Sequence, residues 1–430
     1  MKAFTTLGIS LIVIVLIVLS NCYASQLALQ SNCVVDSLPL VLNNPDKDLI
    51  SMSLKNRAYS AFRKITTPTS LEDWAKRKEH VSNFISESTN YRRYPDLPLG
   101  YKETKVTKCS DYEIRNIIFQ TRPGIWATAN LYVPNGDGIF PAVIVMMGHA
   151  REGKSYPLYQ AVGHKLAENG YVALLVDPWG AGERTTFHGE SEYHGGNLGA
   201  SLMNIGETLM GMQITDNIRG VDLLCSLPFV NKNQIGATGA SGGGNQTMWL
   251  AAVDDRIRAA IPVVSVGTFE SYVVNSNCVC ELLPDGLTFL EESDILGLIA
   301  PRSLGIFNAI HDGNRAFSPS EMFRSFENAR KIYRLYDSEN KLSYQLFNTD
   351  HGYKPEMRNE MIAWFDANLR YTASSLHYNH NPVNVLSQSD LMVFEIGDRF
   401  KGVIGTAEYC RKIGGKLRNA IFGAWVYRHC

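Results

Sequence analysis

Between an apolar run ending at Thr238 and a helical stretch starting near Asn245 lies Gly239-Ala240-Ser241-Gly242-Gly243, a glycine-x-serine-x-glycine pentapeptide set between strand and helix. A turn that passes so directly from strand to helix tolerates only small neighbours. It lifts the serine hydroxyl above the sheet and aims the following N–H at a developing oxyanion. Ser241 is therefore the expected nucleophile and Gly242 the expected first oxyanion donor. A serine hydroxyl needs a positioned base near neutral pH, and in this setting the chain order is serine, acid, histidine. His351, in Asn348-Thr349-Asp350-His351-Gly352-Tyr353, follows the last apolar run and opens a loop before the final helix, which makes it the expected base. Asp312, in Ile310-His311-Asp312-Gly313-Asn314, closes the preceding run and is the expected acid, holding the His351 tautomer and stabilising its imidazolium. The rival carboxylates are Asp350, which adjoins the base and is badly aimed to orient it, and Glu270 and Glu281 in the loop after Val266. A second oxyanion donor should follow the run Ala142 to Met147, from the backbone N–H of His149 or Ala150.

Elements must hold these groups at one edge. From Phe140 onward short apolar runs alternate with helical segments: strands are expected over Ala142–Met147, Val172–Val176, Gln234–Thr238, Ile257–Val266, Ser303–Ala309 and Leu342–Phe347. Helices are expected over Leu158–Asn169, Ile214–Leu227, Asn245–Val253, Pro319–Leu335 and Pro355–Leu369. That alternation predicts an α/β class with a mostly parallel central sheet flanked by helices, the α/β-hydrolase fold. Three runs rich in β-branched and aromatic residues, Tyr101–Lys108, Tyr112–Thr121 and Ile125–Val133, precede it as further strands. Residues 26–97 form an N-terminal extension, with a helix near Leu71–Ser86 in which Trp74, Val81 and Phe84 recur at helical spacing. The catalytic domain is expected over 98–370, and 371–430 reads as a Ser-, Asn-, His- and Pro-bearing linker followed by a tail without a complete fold.

The 41 Lys and Arg residues nearly balance the 42 Asp and Glu residues, so no net field favours nucleic acid or an anionic membrane. Lys2, the apolar run Leu11–Leu19 and the small or polar residues to Ser25 read as a secretory signal peptide over 1–25, and hence as a secreted or periplasmic protein. Leu19-Ser20-Asn21-Cys22 resembles a lipobox except at Asn21, so membrane attachment would require lipidation of Cys22. Asp177 to Arg184 reads as a scaffold loop held by Arg184, and 185–211, with His188, Tyr193 and His194, as a cap over the pocket. Trp179 and His194 are the candidate substrate contacts. Cys278-Val279-Cys280 lacks the two-residue spacer and second ligand pair of a structural zinc site, and the cap histidines are loosely spaced, so neither metal nor cofactor is assigned.

Gly148-His149-Ala150-Arg151-Glu152-Gly153-Lys154, Asp177 to Arg184, and Gly239 to Gly244 resemble successive blocks of the acetylxylan esterase-like α/β-hydrolases, relatives of carbohydrate deacetylases and dienelactone-hydrolase-like proteins. Cys278-Val279-Cys280-Glu281 and Ile299-Ala300-Pro301-Arg302 extend the resemblance, which covers Tyr101 to Leu369. It implies a cofactor-free serine esterase acting on small acyl esters such as acetylated carbohydrate. Two other readings share the same residues: an exported peptidase of the prolyl-oligopeptidase type, and a hydrolase-fold binding protein without turnover. No propeller-like repeat precedes the elbow, and no triad position is vacant.

Overall fold

The computed structural model describes residues 48–185, 192, 194, 198–275, 277–281, 283–286, 290–372, 383–395 and 398–429, with side chains of the last helix described as far as 420. The leader, Cys22, His188 and Tyr193 lie outside the described residues. The chain divides into two units, Met1–Leu54 and Lys55–Cys430, and the second holds the sheet and every candidate catalytic residue.

Its strands are β1 (Lys102–Lys108), β2 (Tyr112–Arg122), β3 (Ile125–Pro134), β4 (Phe140–Met146), β5 (Val172–Val176), β6 (Val230–Ala240), β7 (Ile257–Val263), β8 (Ser303–Ala309) and β9 (Leu342–Phe347). They form one sheet in the order β1-β2-β3-β5-β4-β6-β7-β8-β9. The pairs β1–β2, β2–β3 and β3–β5 are antiparallel, and every pair from β5–β4 to β8–β9 is parallel. The mostly parallel sheet flanked by helices is thus the architecture the sequence predicts.

Alternation along β4 shows why the sheet is covered on both faces. Ala142, Ile144 and Met146 enter one core with Trp74, Met248, Ile295 and Met322, while Val143 and Val145 enter another with Tyr159, Val162, Met361 and Phe365. Successive strand side chains point to opposite faces, so a fully apolar strand requires a layer on each. The helix Leu71–Thr89 starts at Ser70, whose hydroxyl accepts the Asp73 N–H at 3.1 Å, and buries Trp74, Val81 and Ile85 in the first core. It joins the main body also through a two-pronged Arg77–Asp294 pair at 2.6 Å.

The strand expected over Ile257–Val266 ends at Val263, the helix expected from Ile214 starts at Leu209, and two parts nearer the C-terminus differ further from the sequence expectation. The helix expected from Pro355 to Leu369 leaves α geometry at Phe365 and ends in a π-helical turn over Asp366–Arg370. The tail is ordered against the sheet: Asn116 Nδ2 donates to the carbonyls of Asp390 and Met392, and Asn130 Nδ2 to that of Leu391, each at 2.9 Å. Leu391 is fully buried, the Trp126 N–H donates to Gly402 O, and a helix runs from Thr406 to His429.

One titratable group in the second core makes the fold sensitive to acid. His164 is buried against Tyr112 and Tyr132 and hydrogen-bonds the Tyr112 hydroxyl through Nδ1, while its Nε2 has no partner among the described residues. Burial pushes its pKa down to about 4. As pH falls below the unfolded value of about 6.5, the unfolded chain takes up this proton first, so stability is lost from there down through the folded value, by about 3 kcal/mol in all. Urea midpoints measured from pH 7 to pH 4 should fall more steeply for the natural chain than for His164→Gln. Parallel curves would rule this histidine out as the source.

Candidate active site

β6 runs directly into the helix Gly242–Val253, and Ser241 occupies the junction at φ 59° and ψ −128°. A non-glycine residue there is strained, and such strain persists only where its surroundings fix it. The surroundings are tight: a Cβ on Gly239 would stand 2.4 Å from Met146 O, and one on Gly243 would stand 2.1 Å from the same oxygen. The Ser241 N–H donates to Val263 O at 2.9 Å, and its side chain makes no capping bond to the helix it precedes. Gly242 is the first helical residue, and its N–H belongs to the opening turn, whose donors lack intrahelical acceptors.

The acid and base expected from the sequence meet. His351 Nδ1 donates to Asp312 Oδ2 at 2.8 Å, and Asp312 Oδ1 accepts the Asn314 N–H at 2.8 Å. The Asp312 side chain is shut off from solvent, whereas about a third of the His351 side chain remains open. Because the carboxylate accepts a hydrogen bond from Nδ1–H and so fixes the proton there, Nε2 is left as the basic nitrogen. Two backbone bonds bind the loops that carry this pair, Ile310 N–H to Phe347 O at 2.9 Å and His311 N–H to Thr349 O at 3.0 Å. The Phe317 ring lies nearly parallel to the imidazole with centroids 6.1 Å apart. Ser241, Asp312 and His351 thus follow the carboxyl ends of β6, β8 and β9, at one edge of the parallel sheet, where ligands of open α/β sheets bind.

Of the two second-donor candidates, Ala150 is removed: its N–H donates to Gly148 O at 2.8 Å. His149 remains, its ring close enough that a Cβ on Gly242 would stand 3.3 Å from its Cε1. Tyr159, which the sequence reading did not single out, fixes this corner by accepting the Gly148 N–H at 2.6 Å and donating to Ala240 O at 3.0 Å. An aromatic residue three positions after Tyr156 on a helix gives no sequence signal for that role.

The two substrate-contact candidates change meaning. Trp179 is fully buried, with the Arg184 guanidinium 4.3 Å above its ring and Tyr409 against it, so it is a core element of the scaffold loop and offers no surface to a ligand. His194 is also buried, its ring centroid 4.8 Å from that of His149. Glu281 approaches the same corner, where it accepts from Asn277 Nδ2 at 2.6 Å, and burial pushes its carboxyl up to about 7. The His149 imidazole is held above its ordinary value, chiefly by its bond to Cys278, against burial and with help from Glu281.

The sequence blocks around Lys154 and Asp177 to Arg184 prove to be connected by buried ion pairs. Lys154, 1% exposed, reaches Asp177 Oδ2 at 2.7 Å and also pairs with Glu183. Arg122 and Arg184 both pair with Asp216; burial alone would raise that carboxyl, but the two guanidinium groups outweigh it and keep it ionised.

Residues 75–271 match the acetyl xylan esterase family. Over that stretch the chain is similar to the acetyl xylan esterases. It is 27% identical over 253 residues to the putative hydrolase YtaP of Bacillus subtilis, a match covering 55% of the chain and 81% of YtaP. It is 31% identical over 153 residues to the uncharacterized protein PA2218 of Pseudomonas aeruginosa, covering 35% of the chain and 36% of that protein. Among solved structures it shares its fold with the methylesterase BT1017, at a TM-score of 0.66 and 21% identity, over 86% of the chain and 81% of that structure. A glucuronoyl esterase from Solibacter usitatus matches at a TM-score of 0.54 and 15% identity, over 70% of the chain and 94% of the other.

Proposed function

We propose that the esterase removes acetyl groups from xylan-type carbohydrate by acyl transfer to Ser241, with His351 as base and Asp312 orienting it. His351 Nε2 takes the hydroxyl proton as Oγ attacks the ester carbonyl, and the oxyanion is received by the Gly242 N–H, with His149 N–H as second donor. Collapse expels the sugar alcohol, which receives its proton from the imidazolium. Water, deprotonated by the same nitrogen, then frees acetate and Ser241. The observation that carries this reading is Ser241 itself, strained at the head of its helix with a side chain that does nothing for the helix, on the same sheet edge as the 2.8 Å His351–Asp312 pair.

A second ester class has specific support, since BT1017 and the Solibacter protein are named as a methylesterase and a glucuronoyl esterase. There the sugar would supply the acid of the ester, and the same triad would expel the alcohol. A substrate panel separates them: acetylated xylo-oligosaccharides, methyl glucuronate and a prolyl amide. We expect kcat/KM for acetate release to exceed that for the methyl ester by about tenfold or more, since an enzyme discriminates between substrates by differential transition-state binding. Faster methanol release would transfer the activity to uronate esters. Preferential amide cleavage would overturn both readings.

A further inference from the structure

We infer that His149, His194, Cys278 and Cys280 form a zinc site, one that clasps three loops beside the oxyanion corner. One ligand atom from each lies within 4.8 Å of all the others. Cys278 Sγ and Cys280 Sγ are 3.1 Å apart, and Cys280 Sγ is 3.5 Å from His149 Nε2. A tetrahedral zinc with bonds of about 2.3 Å to sulfur and about 2.0 Å to nitrogen sets S···S near ~3.8 Å and S···N near ~3.5 Å. Side-chain rotations on the ångström scale bring the four atoms to those distances. Nδ1 of the buried His194 has no hydrogen-bond partner among the described residues, an unusual condition for an enclosed nitrogen and one that a metal bond relieves. Two thiols with two imidazoles are a donor set that favours Zn(II) over magnesium or calcium, and the exposed edge of His149 leaves a path for the ion to enter.

The reason for missing it in the sequence is spacing. The cysteines are separated by the single residue Val279, and their partners lie on the loop after β4 and in the segment before the helix Gly199–Met203. With four protein ligands the site is closed, so the ion has a positioning role. It ties the His149 loop, the His194 segment and the 277–281 loop into one wall, and that wall abuts Gly242.

The test needs no esterase assay, so its outcome is independent of the substrate assignment. The full chain, reduced and equilibrated with zinc chloride, is passed through a desalting column and its bound metal measured. We expect one zinc per chain for the natural protein and for Cys225→Ser, and none for Cys278→Ser/Cys280→Ser. Cobalt(II) loading of the natural chain should give the intense visible bands of a tetrahedral site with thiolate charge transfer. That spectrum decides the matter even where the double variant fails to fold. Chelation of the zinc-loaded chain should lower Tm by at least about 2 °C. The proposal is overturned if the reduced, folded natural chain retains no zinc and gives only an octahedral cobalt spectrum. Equal zinc retention by a folded double variant, or a Cys278–Cys280 disulfide persisting after reduction and zinc equilibration, overturns it as well.

Discussion

Ser241→Ala is expected to lower kcat for p-nitrophenyl acetate by about three orders of magnitude or more while leaving the unfolding temperature within about 1 °C of the natural chain. The first half follows from covalent catalysis: without Oγ there is no acyl-enzyme, and only binding and the oxyanion donors remain to assist water. The second half follows from the side chain's lack of any structural bond. It makes no capping bond, the backbone of the turn is held by the Ser241 N–H to Val263 O bond, and the tight neighbours are Gly239 and Gly243. Alanine retains the strained φ and changes none of these. Steady-state kinetics and thermal melts on the two proteins check both halves. A variant retaining more than about a tenth of the activity would mean that another group attacks the ester.

Lys154→Met is expected to destabilise the chain by about 3–5 kcal/mol, because it leaves two buried carboxylates facing each other without their cation. Burial alone would lower the pKa of the ammonium, but Asp177 and Glu183 outweigh it and keep Lys154 charged. Asp177 also accepts the Thr128 hydroxyl at 2.6 Å and the Lys154 N–H at 2.9 Å, and Glu183 accepts the N–H groups of Val393 and Phe394 at 2.9 Å each. One missing ammonium is therefore felt in the loop after β4, in the scaffold loop and in the returning tail. Urea denaturation measures the deficit, and its pH dependence identifies the cause. Protonating the orphaned carboxylates relieves them, so the difference between variant and natural chain should shrink as pH drops from 8 to 5. A deficit under about 1 kcal/mol, or one that grows in acid, would show that the pair is not what holds this corner.

The parts of the molecule legible in the sequence are those whose determinants are local. β5, β8 and β9 have the boundaries expected because each is a short apolar run between breakers. The elbow declares itself because the steric demand of a strand-to-helix turn falls on residues adjacent in the chain. Asp312 and His351 could be found because chain order and strand ends together leave few choices, and the fold then brings their side chains to 2.8 Å. The features that escaped depend on distant or backbone partners. Nothing in the sequence decides between His149 and Ala150 as second donor, because the Ala150 N–H is used by a backbone bond within its own turn, to Gly148 O. Trp179 has the look of a ligand surface in the sequence, but Arg184 lies across it in the fold. The tail has no visible form in the sequence because much of its attachment uses its own carbonyls, which carry no residue signature, as acceptors for Asn116 and Asn130.

Those two asparagines also set a timetable. They lie in β2 and β3, yet the carbonyls that satisfy them are 261 to 276 residues later in the chain. A ribosome delivers the chain from its amino end, and contacts at such separation form late and slowly. The strands through β9 will all have emerged before residues 390–392 arrive to accept from Asn116 and Asn130. An arrest of synthesis anywhere between residue 348 and residue 389 would thus release a chain that contains Ser241, Asp312 and all nine described strands, but lacks these carbonyls as well as the Val393 and Phe394 N–H groups that Glu183 accepts.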